Sequence, residues 1–268
     1  MNKKRALVVI SFGSTFEVAR EQEIGGIKDA LAAAFPHYDV YLAFTSNIIR
    51  KILAGRGLVI PSPVEIMDQL VVAGYDEVII QPTHILHGEE FEGKILTLKA
   101  GYKEKFSKLV VGNPLLTSAE DYKMIAAAIN SILPQLAENE GVVLMGHGSP
   151  RNNNESFGCT YNTLQKHLDR LGLPVIIGVV EDEDSPNFQV VLEELQARKY
   201  TKVHMWPFMV VAGDHAFNDM CGEDAGSWQK QIEALGIATE PHLEGLGRKK
   251  VVQALFVNHA LKALADAE

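Results

Sequence analysis

The stretch of sequence that decides the fold is Leu7-Val8-Val9-Ile10-Ser11-Phe12-Gly13-Ser14, an apolar run that ends in a turn of glycine and serine. The same type of segment returns at Val142-Val143-Leu144-Met145-Gly146-His147-Gly148-Ser149. A second pair of related segments covers 75–88 and 200–213, each with the same spacing from a proline to a closing glycine. An apolar run bounded by a glycine turn is typical of a buried strand. The repeat therefore predicts two similar halves.

Short β-branched runs alternate with longer segments of helical period along the whole chain. This alternation is typical of α/β layers built on a largely parallel sheet. The predicted strands are 5–11, 39–44, 77–81, 108–112, 141–145, 175–180 and 202–207. The predicted helices are 18–35, 63–73, 91–106, 119–133, 187–198 and 249–265. We therefore predict an α/β protein of two similar domains, each with a mostly parallel sheet flanked by helices.

The predicted domain break lies near Pro134, where a polar stretch precedes a new strand. The expected domains are 1–134, which would shape the substrate, and 141–268, which would bind the metal. The last helix is free to pack back on the first half. Ligands of open α/β sheets bind outside the carboxyl ends of the strands, so we expect the site in a cleft between the halves.

The composition is that of an ordinary globular protein, with 47% hydrophobic and 22% charged residues. The sequence has no run of about 18 apolar residues, the length that crosses a bilayer. Its basic start is followed by an apolar stretch, 6–10, that is too short for a signal peptide. We therefore expect a cytoplasmic protein with no membrane partner.

The charge and the cysteine content limit the classes of partner and the residue types that could bind a metal. The net charge is −9, and the sequence has no dense lysine and arginine tract. Nucleic acid is therefore not an expected partner. The two cysteines, Cys159 and Cys221, provide neither a disulfide framework nor a CxxC metal site. A metal would have to be bound by histidine and carboxylate.

Three candidate ligands follow predicted strands of the second half. His147 stands between two glycines after one strand, Glu181 directly follows the next, and His215 follows a third within Gly213-Asp214-His215. Glycine lets a ligand approach the backbone, and loops at strand ends often hold active sites. Two imidazoles and one carboxylate on adjoining loops would leave coordination positions open on Co, Fe, Ni or Zn.

Each candidate also has a structural interpretation. His147 fits a turn histidine bonded to backbone, and His215 fits a surface histidine that caps a helix. For the acids at 182–184 we favour a solvated loop that leads to a helix start. The histidines taken as structural are His37, His167, His204, His242 and His259.

The first half does not repeat the candidate metal ligands. Alignment of the turn glycines places Phe12 opposite His147 and Glu90 opposite His215. We therefore expect the loops of the first half to shape and cover the substrate. Core packing is the alternative for the apolar candidates. The candidate cleft residues are Phe12, His84, Glu89, Glu90 and Met145.

Motifs of several other enzyme classes are missing from the sequence. It contains no Walker loop, no GxGxxG fingerprint opening the first helix and no GxSxG nucleophile elbow. Ser149 lies close to His147, but residues so near in sequence rarely meet with the geometry of a catalytic pair. A hydrolase is therefore a secondary alternative.

Longer motifs resemble those of a known family. MGHGSP around His147, GVVE ending at Glu181 and PFMVVAGDHAFNDM around His215 are similar to the motifs of the anaerobic sirohydrochlorin cobaltochelatases. The resemblance runs from ALVVISFGST through AFTSNIIRKI and THILHGEEF to the C-terminal GLG and ALFV segments. It covers nearly the whole chain, and the GDHAxND run is its most specific part.

The resemblance implies a fold, a reaction and a set of functional residues. The fold is that of the class II chelatases, with two four-stranded parallel sheets related by a pseudo-twofold and a tetrapyrrole bound between them. The reaction is insertion of Co(II) into sirohydrochlorin, with loss of two protons, in anaerobic cobalamin synthesis. His147, Glu181 and His215 would bind the cobalt, and His147 would also accept pyrrole protons. No organic cofactor is expected, since the metal is a substrate.

Several alternatives stay open at this point. Precorrin-2 is a related substrate, and a site of two histidines and one glutamate takes Fe(II) or Ni(II) as well as Co(II). A heme or metal delivery protein, with His84 or His87 as an axial ligand, is an alternative from another class. Closed homo-oligomers are common for such domains. The candidate cations for the substrate's carboxylates are Arg50, Lys51, Lys94 and Arg151.

Overall fold

The computed structural model of the protein describes residues 3–149, 160–181 and 183–267. Within these residues the chain forms two four-stranded sheets, each parallel and flanked by helices. The predicted α/β class with two similar parallel sheets is confirmed. No helix in the described part of the chain is both long and apolar enough to cross a membrane.

The strands lie close to their predicted positions. The first sheet has the spatial order β2-β1-β3-β4 and the second the order β6-β5-β7-β8. The strands of the first sheet are β1 (Arg5–Ser11), β2 (Asp39–Phe44), β3 (Glu77–Pro82) and β4 (Lys108–Val111). Those of the second are β5 (Glu140–Gly146), β6 (Val175–Val179), β7 (Lys202–Pro207) and β8 (Ala238–Pro241).

The helices follow the strands in the same alternating order. They are α1 (Gly25–Ala34), α2 (Asn47–Gly55), α3 (Pro63–Val72), α4 (Thr97–Tyr102), α5 (Ala119–Ile132), α6 (Thr160–Arg170), α7 (Phe188–Arg198), α8 (Trp228–Ala234) and α9 (Lys250–Ala265). Turns of π-helix occupy Ala19–Ile24, Phe91–Leu96 and Ala216–Met220, and turns of 3₁₀-helix occupy Lys103–Lys105 and Leu246–Arg248.

The prediction missed β8 and the helices α2, α6 and α8. β8 has the sequence ATEP, is partly exposed and pairs with β7 at the edge of the sheet. Helix α8 has only seven residues, and α6 is polar over most of its surface. Such elements carry a weak signal in the sequence because contacts with the rest of the fold stabilise them.

The chain divides into two compact units. The first consists of Met1–Thr117 with Gly247–Glu268, and the second of Ser118–Leu246. The division therefore comes earlier than the predicted break, because Pro134 ends α5 and does not end a domain. Helix α5 packs on α6 in the second unit, whereas α9 packs on α1, β3 and β4 in the first.

The strand order creates a topological switch in each sheet. In the second sheet the chain passes from β5 to β6 on one side and then to β7 on the other side of β5. Loops that leave neighbouring strands in opposite directions open a crevice at the carboxyl edge, which is where such sheets bind ligands. The loops after β5, β6 and β7 therefore meet at one edge.

Helix α5 begins with a reciprocal capping box. The hydroxyl of Ser118 accepts the backbone N–H of Asp121 at 3.2 Å, and the carboxylate of Asp121 accepts the N–H of Ser118 at 2.7 Å. We expect Ser118→Ala to lower the free energy of unfolding by about 1 kcal/mol, because it leaves a helix N–H without its acceptor. Urea unfolding followed by circular dichroism measures this loss.

The matched control is Ser131→Ala, in the last turn of the same helix. Ser131 is exposed and its hydroxyl donates to the carbonyl of Ala128 at 2.7 Å. Alanine is a better helix former than serine, so this variant should stay within about 0.5 kcal/mol of the parent. Equal unfolding midpoints for the two variants would contradict the role assigned to the cap.

Candidate functional site

The three predicted ligands of the second unit follow neighbouring strands. His147 comes directly after β5, Glu181 two residues after β6, and His215 between β7 and the π-helical turn Ala216–Met220. Main-chain hydrogen bonds continue past the strand ends, since the N–H of Glu181 donates to the carbonyl of His147 at 3.2 Å. The sheet thus holds the backbones of His147 and Glu181 side by side.

The imidazole rings of His147 and His215 lie against each other. Their centroids are 4.8 Å apart and their planes meet at 88°. Nδ1 of His147 is 3.1 Å from the carbonyl oxygen of Gly148 and 3.9 Å from Oε1 of Glu181. Because both neighbours are acceptors, a neutral His147 carries its proton on Nδ1, and its Nε2 has the available lone pair.

Asp219 orients the second histidine. Its Oδ2 is 2.6 Å from Nδ1 of His215. A carboxylate at one imidazole nitrogen fixes the ring and makes the other nitrogen a better metal ligand. Sequence reasoning missed Asp219, although the residue lies in the GDHAFND run.

The side chains of His147, Glu181 and His215 are 52%, 49% and 38% exposed, so all three are open to solvent.

Close packing explains the glycines on either side of His147. A Cβ at Gly146 would lie 2.6 Å from the ring of Tyr161, which is buried. Gly148 has a φ of +94°, and a Cβ there would lie 3.1 Å from Cβ of Glu181. Gly13, the counterpart of Gly148 in the first sheet, has a φ of +103°. Gly146 and Gly148 therefore set the direction in which the His147 side chain leaves the sheet.

Asp184 is a buried link between two loops, which corrects the prediction of a solvated acid. It is 4% exposed, and its carboxylate accepts the backbone N–H groups of Ser149 and Ser185. The bond to Ser149 joins the loop after β6 to the loop that carries His147. A run of four acids has no periodicity that could single out Asp184 in the sequence. Asp182 lies outside the described residues.

The predicted ligands do not form a tight preformed cluster. In the described ranges, the group of His, Cys, Asp or Glu whose ligand atoms all lie within 4.8 Å of one another is His204, Glu240 and His242. This group lies on the paired strands β7 and β8 and just beyond them. Sequence reasoning treated both histidines as structural, since β8 was not predicted and nothing linked them.

Comparison with known proteins identifies the family. The sequence matches the family described as cobalt chelatase (CbiK) over residues 5–265. The chain belongs to this cobalt chelatase family. The membership implied by the sequence motifs is confirmed, and the protein is a metal chelatase.

Individual relatives agree with the family assignment. The sirohydrochlorin cobaltochelatase of Salmonella typhimurium (strain LT2) is 37% identical over 97% of this chain and 97% of its own length. The sirohydrochlorin cobaltochelatase CbiKC of Nitratidesulfovibrio vulgaris (strain Hildenborough) is 30% identical over 98% of this chain and 93% of its own. SirB from Bacillus subtilis with Fe3+ shares the fold, with a TM-score of 0.64 at 16% identity, covering 98% of this chain and 96% of that one.

In the first unit of this cobalt chelatase, Phe12 and Lys94 form an exposed pair. Phe12 is 52% exposed, and Nζ of Lys94 lies 5.9 Å from the centroid of its ring. Glu90 is held by its neighbours, since Oε2 is 2.9 Å from Nζ of Lys94 and Oε1 accepts the hydroxyl of Thr45 at 2.5 Å. Phe12 is therefore open to solvent, whereas Glu90 positions Lys94.

The remaining candidates of the chelatase have different environments. Met145 is fully buried in the core of the second unit. The prediction that it contacts a ligand in the cleft is therefore wrong, and its role is core packing. Glu89 is exposed. Arg50 is paired with Glu65 and donates to a backbone carbonyl at 3.0 Å, which is a structural role. Arg151 lies outside the described residues.

His84 has an unusual environment in the chelatase. Both its ring nitrogens are out of contact with solvent and have no hydrogen-bond partner among the described residues. The ring of Phe91 lies 6.3 Å from its own. Burial lowers the pKa of His84 to about 4, although the negative charge of Glu90 opposes this change. The imidazole is therefore neutral at pH 7.

This environment predicts a dependence of stability on pH. The unfolded chain binds a proton on His84 near pH 6.5, whereas the folded protein binds it only near pH 4. The folded protein therefore loses stability as the pH falls from about 6.5 towards 4, with a loss of about 2 kcal/mol at pH 5. His84→Leu should remove this loss, and urea unfolding at pH 8 and pH 5 measures it.

His37→Gln provides the control, because His37 is exposed in the same unit. It should keep the pH dependence of the parent. If His84→Leu loses as much stability between pH 8 and pH 5 as the parent does, the burial of His84 has no such effect.

Proposed function

We propose that the protein inserts Co(II) into sirohydrochlorin and releases two protons. The observation that carries this proposal is the pair of imidazole rings, 4.8 Å apart at the strand ends, with Glu181 3.9 Å from His147. The choice of cobalt is supported by the family match. The choice of sirohydrochlorin over precorrin-2 is supported by the printed names of the relatives.

The two histidines and Glu181 bind the incoming cation. Asp219 and the carbonyl of Gly148 occupy the Nδ1 sides, so His215 and His147 both offer Nε2. Two imidazoles and a carboxylate suit Co(II) and leave positions open for the nitrogens of the ring. Because the side chains are exposed and are not drawn into a tight cluster, the cation can pass from them to the macrocycle.

His147 also accepts a pyrrole proton. Its Nε2 becomes available as the cation moves to the ring, and general bases of this kind commonly accelerate proton transfer by about 10² to 10⁴. The carboxylate of Glu181, 3.9 Å from Nδ1, stabilises the resulting imidazolium. The second proton leaves through solvent, to which all three side chains are open.

Lys94 binds a carboxylate of the substrate. Its side chain is 45% exposed and lies beside Phe12, which offers an apolar surface to the ring. Glu90 holds the ammonium group in place, with Oε2 2.9 Å from Nζ. With a net charge of −9, the protein needs local cations of this kind to bind an anionic ring.

The environment of the first-unit histidines does not favour the heme-binding alternative. Both ring nitrogens of His84 are out of contact with solvent. Nε2 of His87 is 3.3 Å from Oε1 of Glu92, which ties the ring to the π-helical turn Phe91–Leu96. An axial ligand would have to break one of these arrangements.

His147→Ala should lower the rate of cobalt insertion at least about 100-fold, because it removes a metal ligand and the proton acceptor together. The assay mixes protein, sirohydrochlorin and Co(II) without oxygen and follows the absorbance of the ring. The control His37→Ala removes an exposed histidine of the first unit and should keep the parental rate. A rate for His147→Ala within about threefold of the parent would exclude this residue from the reaction.

Asp219→Asn tests the positioning of His215. It keeps the size of the side chain but loses the carboxylate at Nδ1, so we expect the KM for Co(II) to rise by about 10-fold with a smaller change in kcat. Glu223→Gln is the control, since it neutralises an exposed acid nearby in sequence. An unchanged KM for Co(II) in Asp219→Asn would show that His215 does not depend on this carboxylate.

A further inference from the structure

A second group of metal-binding side chains lies on the edge of the second sheet. His204 on β7 pairs in register with Glu240 on β8, and the backbone N–H of His242 donates to the carbonyl of Met205. In an extended chain, side chains two residues apart lie on the same face of the sheet, so residues 240 and 242 share one face. The strand pairing therefore brings three potential ligands together.

The ligand atoms of this group are already close to the spacing of a metal site. Nδ1 of His204 is 3.1 Å from Nε2 of His242. Oε2 of Glu240 is 3.6 Å from Nδ1 of His204, and Oε1 is 3.7 Å from Nε2 of His242. Two ligands of a tetrahedral Zn²⁺, each about 2.0–2.1 Å from the ion, lie about 3.3 Å apart. One ligand atom from each of the three residues lies within 4.8 Å of the other two, so modest side-chain shifts would bring three atoms around one ion.

Nε2 of His204, the ring nitrogen that would not bind the ion, has the surroundings found in a metal-bound histidine. His204 is 5% exposed, and its buried Nε2 has no hydrogen-bond partner in the described residues. The nearest carboxylate is that of Glu140, with Oε2 at 3.8 Å. Metal-bound histidines commonly donate their other N–H to a carboxylate, which fixes the ring and strengthens the ligand. Metal binding at Nδ1 would give this buried nitrogen a proton to donate.

Neighbouring side chains fix the more exposed ligands. The indole of Trp206 stacks on the ring of His242, with centroids 3.8 Å apart and planes at 6°. Nζ of Lys202 lies 2.6 Å from Oε2 of Glu240, which leaves Oε1 for an ion. His242 and Glu240 are 29% and 46% exposed, so an ion can reach the group from solvent.

We propose that His204, Glu240 and His242 form a second metal site, which binds a first-row divalent cation such as Zn²⁺. Two imidazole nitrogens and one carboxylate oxygen suit Zn²⁺, Ni²⁺ and Co²⁺. The site is separate from the strand-end residues His147, Glu181 and His215 and takes no part in the insertion reaction. It joins the edge strand β8 to β7.

The test uses a double variant, His147→Ala with His215→Ala, which removes the exposed ligands of the reaction site. Isothermal titration calorimetry with Zn²⁺ should still find about one ion bound per chain. Adding His242→Ala should weaken this binding by at least about 10-fold, since loss of a ligand costs at least as much as loss of an outer-shell partner. His167→Ala in the same background is the control and should bind Zn²⁺ as the double variant does.

A second readout locates the ion. Co²⁺ bound next to Trp206 should quench the fluorescence of this tryptophan in the double variant, and His242→Ala should abolish the quenching. The thermal unfolding midpoint should rise with Zn²⁺ in the double variant and not in the triple variant. Unchanged Zn²⁺ affinity or unchanged quenching after His242→Ala would overturn the proposal.

The test is independent of the proposed reaction. His242→Ala alone, in an otherwise parental chain, should retain the rate of cobalt insertion into sirohydrochlorin. If the parent does not insert cobalt but the double variant binds Zn²⁺ through His242, the proposed function fails and the second site stands. If the parent inserts cobalt and the double variant binds no Zn²⁺, the proposed function stands and the second site fails.

Discussion

The hydrogen-bonded position of β5 between β6 and β7 is the constraint on which the site depends. Six of the seven residues of β5 are buried. A strand buried on both faces cannot shift its register without exposing its apolar side chains. The end of β5 is therefore fixed, and with it the residue that follows, His147. Tyr161 and Asp184 then determine how the loop leaves the strand.

The two units show how one sheet order supports different loop chemistry. Both central strands end in a glycine turn with positive φ, at Gly13 and Gly148. The first unit places Phe12 before its turn glycine, where the second places His147, and its Glu90 is neutralised by Lys94. The fold is thus repeated, whereas the candidate metal ligands are not. Function is determined by the side chains placed on this frame.

The sequence predicted what depends on local pattern. Strands such as 5–11 were predicted because buried parallel strands are continuous apolar runs. His147, Glu181 and His215 were proposed as ligands because each follows such a run. The roles of Asp184 and Asp219 were not predicted, because they depend on which backbone and ring atoms lie nearby in space. The group of His204, Glu240 and His242 was missed with β8, because a short, partly exposed edge strand has no periodic signal.

The packing around His147 has a genetic consequence. Every single-base change of a glycine codon that alters the residue either introduces a side chain with a Cβ or stops translation. At Gly146 that carbon would collide with Tyr161, and at Gly148 it would meet the loop of Glu181 in a backbone conformation that L-residues avoid. Every residue change that a single base substitution can make at either codon beside His147 therefore forces the surrounding side chains or the backbone to shift.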